Sequence, residues 1–196
     1  SPFLQAAYLT AADAHYGSML SEAEPGWKIY EQLMLVGIKR HRSVLAGKLD
    51  DTLGTANARA RMQLASLWMK SLGQAGIRLA KLDEAGLPGQ TKALREILTE
   101  AERLVLDTET DQPLRLDAIE ALGHGSELHG NTAAVFQKLL APSETSAVRH
   151  GTIRAVGNMT AAGAAKLLLA AWPGLVANER ASALDVLLSR GTWQEA

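Results

Sequence analysis

The sequence predicts an all-α fold, an α-α superhelix of about six antiparallel helix pairs. Two observations predict it. A short arginine-centred pattern returns three times in the C-terminal half: Arg115-Leu-Asp-Ala-Ile-Glu-Ala-Leu-Gly123, Arg149-His-Gly-Thr-Ile-Arg-Ala-Val-Gly157 and Arg180-Ala-Ser-Ala-Leu-Asp-Val-Leu-Leu188. The arginines stand 34 and then 31 residues apart, a period typical of stacked helical repeats. Aromatic residues make up only 5% of the chain, and Ala, Leu and Gly dominate. That composition suits closely packed helices and argues against a sandwich or barrel.

Taken in order, Ser1-Pro2 reads as an N-cap followed by proline in a first helical turn. Leu4, Tyr8, Leu9 and Ala12 form its stripe, and Met19 and Leu20 belong to a short second helix before Pro25-Gly26. Ile29, Leu33, Met34 and Val36 mark a longer helix, answered by Val44, Leu45 and Leu49. Beyond Gly54-Thr55, a helix over 59–72 carries Met62, Leu64, Ala65, Trp68, Met69 and Leu72. A short segment with Ile77, Leu79, Ala80 and Leu82 follows. Leu87-Pro88-Gly89 is the clearest break and marks a change of regularity within one repeat domain, with divergent repeats over 1–87 and regular ones over 88–196.

The helix over 90–107 is strongly amphipathic, with Leu94, Ile97, Leu98, Ala101, Leu104 and Val105 on one face. The first clear repeat runs from Pro113 to Leu122, where the glycine-rich stretch 123–130 is expected to stop it through left-handed glycine. Its partner over 131–140 places Ala134, Val135, Lys138 and Leu139 at helical spacing, and its apolar stripe is expected to pack on the preceding helix. Ser143 or Thr145 is a candidate N-cap for the next helix, which ends near Gly157-Asn158. Thr160 is expected to cap a helix carrying Leu167, Leu168 and Trp172, which Pro173-Gly174 terminates. In the third unit Ala181, Leu184, Leu187 and Leu188 share one side, and Thr192 begins a further helix.

Few function classes survive the composition. A formal net charge of −1 disfavours a nucleic-acid groove, whose affinity rests on phosphate neutralisation. The absence of cysteine excludes disulfides, thiolate metal sites, cysteine nucleophiles and covalent haem attachment within these residues. No apolar stretch reaches the length of a membrane span. The chain opens inside one helical pattern and stops inside another, which leads to the expectation that it is part of a longer protein.

No constellation of side chains reads as catalytic, cofactor-binding or metal-binding. His124 and His129 flank a glycine-rich junction, but no histidine or acid has the helical spacing of a zinc site. Asp50-Asp51, Glu100 with Glu102, and Glu22 with Glu24 read as surface charge, because paired catalytic carboxylates need distinct environments. The basic stretch Lys39, Arg40, His41 and Arg42 falls at a helix-to-helix corner, where cations suit a helix C-terminus. Arg59, Arg61 and Lys70 extend it. Trp27, Trp68, Trp172 and Trp193 read as packing or junction residues. Arg115, Arg149 and Arg180 are read as structural connectors between repeats, each held by an acidic or carbonyl partner in an adjacent unit.

The three arginine segments resemble the first helix of HEAT-like repeats. With Ser1-Pro-Phe-Leu-Gln-Ala-Ala-Tyr-Leu9 and Arg180–Arg190 followed by Thr192-Trp193, they also resemble the helical segment of large planctomycete and verrucomicrobial proteins. In those proteins a sugar-dehydrogenase-type β-propeller and a c-type cytochrome domain accompany the repeats. The resemblance implies a non-catalytic scaffold without a cofactor of its own, binding proteins or neighbouring domains within a larger redox protein. It also implies an exported or periplasmic location. The alternative reading is a HEAT-type nucleic-acid binder or DNA-glycosylase-like enzyme, which requires a basic concave face bearing aromatic residues.

Overall fold

The computed structural model describes residues 15–23, 28–160 and 163–189. Among these residues the chain is all-α, with ten helices, two short 3-10 turns and no strand. The expected stripe of Leu4, Tyr8, Leu9 and Ala12, the breaker Pro25-Gly26, Trp27, and Thr192-Trp193 lie outside the described residues. The chain divides into two compact units, Ser1–Ala93 and Leu94–Ala196. The division falls in the first turn of a helix close to the change of regularity at residue 88.

In the first unit, α1 covers residues 15–22. It is followed by α2 (Lys28–Arg40), α3 (Arg42–Thr55) and α4 (Ala58–Gln74). The helix α4 packs against both α2 and α3, and buries the whole predicted stripe from Met62 to Leu72, Trp68 included. It starts where the Asn57 side chain accepts the Ala60 amide, which relieves one unpaired donor of the first turn. The chain leaves α4 through Gly76 at φ 73°, a left-handed turn that costs glycine little. The segment that follows is a 3-10 turn, Leu79–Lys81, with Leu79 and Leu82 inside and Ala80 outside. In α3 the buried stripe is Leu45, Leu49 and Leu53. Val44, expected in the core, is 48% exposed, one position off that four-residue period.

The second unit contains α5 (Gln90–Leu106), α6 (Gln112–His124), α7 (Thr132–Leu139), α8 (Ser146–Asn158), α9 (Ala164–Ala171) and α10 (Ala177–Leu188). Every predicted core position of α5 is buried. The broadest helix contacts join α6 to α8 and α8 to α10, while α7 meets α9. The two contacts of α8 have the same register. Leu116 lies against Gly151 and Gly123 against Ala155. In the next layer His150 meets Ser182 and Gly157 meets Val186. With the arginines superposed these are equivalent positions, so α6, α8 and α10 run in the same direction.

Gly123 differs from its expected role. It lies inside α6, with α6 ending at His124 and Gly125 following at φ −86°. A Cβ on Gly123 would come within 2.6 Å of the Ala155 carbonyl oxygen, so this glycine admits a neighbouring backbone instead of stopping a helix. Packing also bears on three further expectations. In α7 the buried positions are Thr132, Val135, Phe136 and Leu139, whereas Ala134 and Lys138 are exposed. Thr160 does not cap α9, whose N-cap is Gly163; the Thr160 amide donates to the Ser126 hydroxyl instead. In α10 the core takes Glu179 and Ala183, while Ala181, Leu184 and Leu188 face solvent. Thr145 does cap α8, accepting the Val148 amide at 3.3 Å.

Candidate functional site

The three periodic arginines come to matching places at the starts of α6, α8 and α10. Arg115 is 5% exposed. Its Nε donates to the Val105 carbonyl at 2.8 Å, one of the last carbonyls of α5 and otherwise without a helical partner. Its two Nη atoms donate to the two carboxylate oxygens of Glu144 at 2.9 and 2.6 Å. Such a forked, charge-assisted pair fixes orientation as well as distance.

Arg149 repeats the arrangement one unit later. Its Nη1 donates back to the Pro142 carbonyl at 3.1 Å, and its Nε donates forward to Glu179 at 2.9 Å. Glu179 is fully buried and gathers three donors. Oε1 accepts from Arg149 and from the Ser146 hydroxyl, and Oε2 accepts from the Val176 amide at 3.1 Å. Burial alone pushes the Glu179 carboxyl up, but the Val176 amide, the Arg149 guanidinium and the Ser146 hydroxyl outweigh it. They hold the carboxyl below the usual carboxylate range. The same carboxylate closes the first turn of α10 from the N3 position.

Arg180 completes only the backward half. Its Nε and Nη2 donate to the Trp172 and Pro173 carbonyls at 3.3 and 3.4 Å. Its guanidinium lies 5.7 Å from the Trp172 ring centre, within cation–π range. Among the described residues it meets no carboxylate. The expected acidic and carbonyl partners of the arginines are thus present as a class. The individual glutamates, Glu144 and Glu179, were not singled out from the sequence. Their signal is a carboxylate 29 or 30 residues after each arginine.

The remaining candidates are dispersed. His129 Nε2 lies 2.6 Å from Glu102 Oε2, and Asn131 donates to the other oxygen of that carboxylate. Glu102 is therefore a tether between α5 and the segment before α7, not solvated surface charge. His124 stands 3.9 Å from Glu120 on its own helix. The histidines do not converge, and among the described residues no three His, Asp or Glu side chains are placed to hold a metal ion. Asp50 accepts the buried Gln90 amide at 2.7 Å. Arg42 donates to the Ile38 and Ala85 carbonyls, both at 2.6 Å, so it closes the end of α2. Lys70 pairs with Glu31 at 2.7 Å and holds that carboxyl low.

No family model matches this chain, and neither a curated protein nor a solved structure does.

Tyr16 stacks on His41 with ring centres 4.7 Å apart, over Gly37, where a side chain would collide with the phenol. Burial, followed by the neighbouring Tyr30, pushes the Tyr16 hydroxyl pKa far up, so it stays protonated and inert. A groove of about 310 Å³ lies between the ends of α7 and α9, lined among others by Leu140, Pro142, Leu167 and Pro173. No titratable side chain lines it, so it offers neither acid nor base. No helix of the described residues is long and apolar enough to cross a membrane.

Proposed function

We propose that this chain is a non-catalytic helical-repeat scaffold of the HEAT-like type, an α-α solenoid that binds proteins or spaces neighbouring domains. The observation that carries this reading is the repeated arginine clasp. Arg115 and Arg149 each close the chain behind them and hold a glutamate of the unit ahead. Their cationic groups are spent inside the fold and serve packing, not a substrate. The matching register of α6 on α8 and α8 on α10 supports a layered repeat, since such arrays add one unit by the same operation each time. Membership of a larger redox protein belongs to the same proposal and rests on the sequence resemblance alone.

The nucleic-acid alternative finds less support. Trp68 is fully buried, Trp172 is occupied by Arg180, and the net charge is −1. Fluorescence anisotropy with a labelled 20-base-pair duplex at about 50 mM salt separates the two readings. The scaffold reading expects no saturable binding. Binding that weakens steeply as salt rises would overturn it in favour of a nucleic-acid binder.

A further inference from the structure

The groove between α7 and α9 opens where both helices stop. Leu140, Ala141 and Pro142 line it from one side and Leu167, Ala170 and Pro173 from the other, with Gln137 the one polar residue of its lining. It lies within the second unit, at the end of the layer from which α8 and α10 set out. The arginines hold its rims. The Pro142 carbonyl accepts from Arg149 at 3.1 Å, and the Pro173 carbonyl accepts from Arg180 at 3.4 Å. Two prolines of fixed φ, each tied through its carbonyl, leave a cleft formed before any partner arrives.

Charge is sorted across this unit. Among the described residues its carboxylates stand on α5, α6, α10 and the connecting turns. The only charged side chains of α7 and α9 are Lys138 and Lys166, each next in sequence to a residue that lines the groove. Both are exposed, and neither enters an ion pair among the described residues. Lys138 stands in the last turn of α7, where the helix dipole favours a cation. Lys166 stands in the first turn of α9, where the dipole opposes one. Among the described residues no carboxylate offsets it there.

We propose that the groove docks an apolar side chain from an acidic segment of another protein, whose carboxylates meet Lys138 and Lys166. Burial of the apolar side chain supplies the anchor. The lysines select the partner, because complementary charge speeds encounter with acidic segments and disfavours basic ones. The inference rests on the scaffold reading and adds the chemistry of the partner. The two fail separately: duplex binding bears on the scaffold reading, and peptide binding decides the groove.

Selection of random peptides of about 12 residues from a display library on the full chain, followed by fluorescence anisotropy of those enriched, tests it. The enriched peptides should combine an aliphatic or aromatic residue with Asp or Glu and bind with Kd of about 10–100 µM. Ala170→Trp, which fills the groove from an exposed site, should abolish that binding with an unchanged circular dichroism spectrum. Gln137→Trp, on α7, repeats the block if Ala170→Trp fails to fold. Lys138→Glu/Lys166→Glu should weaken binding by about tenfold or more. No enrichment, the outcome if this chain's own residues already fill the groove, would overturn the proposal. So would enriched peptides that are basic or uncharged, or binding indifferent to the tryptophan block or to the lysine exchange.

Discussion

Glu179 accepts from Arg149, Ser146 and the Val176 amide in a site closed to water, so each donor it loses leaves buried charge exposed to nothing. Arg149→Ala should therefore destabilise the fold by about 3 kcal/mol, read as a lower urea midpoint at pH 7. The acid response has a definite sign. The folded Glu179 carboxyl titrates below its unfolded value, so the unfolded chain binds the proton first as pH falls. This contribution is complete above the ordinary carboxylate range of about 4.3 and disappears as pH drops through the lower folded value. Urea midpoints measured from pH 7 to pH 3 should fall less steeply in Glu179→Gln than in the parent chain. The arginines were legible because they repeat. Glu144 and Glu179 were not, because one precedes the next arginine by five residues and the other by one. The regularity they do share, standing 29 and 30 residues after the arginines they hold, shows only once the fold has brought each carboxylate to its guanidinium.

Helix–helix spacing rests on small residues at defined heights. Gly123→Ala places a methyl against the Ala155 backbone, which cannot swing aside as a side chain can. It should cost about 1–3 kcal/mol in chemical denaturation. Gly47, within α3 and with open space around its missing Cβ, is the control. There an alanine should add about 0.5–1 kcal/mol through helix propensity. A destabilised Gly47→Ala or a neutral Gly123→Ala would refute the close-approach account. The same elements show where sequence reading stops. Periodicity put Ala181, Leu184, Leu187 and Leu188 of α10 on one side, and the structure exposes Ala181, Leu184 and Leu188 while Leu187 is half-buried. Hydrophobic spacing tells which residues share a face. Which face is covered depends on the neighbour, and here the charged Glu179 goes inside because Arg149 and Ser146 meet it there. In α5 and α4, whose stripes are long and backed by charged residues, face and core coincide.

At the level of the whole chain, the all-α class followed from scarce aromatics, abundant Ala, Leu and Gly, and the recurring arginine segment. The separation into units at Ala93/Leu94 carried a weaker signal, the break at Leu87-Pro88-Gly89. In the second unit one clasp runs from α6 to Glu144 ahead of α8 and the other from α8 to Glu179 in the first turn of α10; on the proposed scaffold reading they tie successive helix pairs. Native-state hydrogen exchange on Arg149→Ala, resolved by peptide, reads that connection directly. If the clasp ties the layers, amides across α10 and in the first turns of α8 should exchange at least about tenfold faster than in the parent chain. Exchange in α10 that is unchanged by the substitution would contradict the claim and reduce the arginine to a surface ornament of α8.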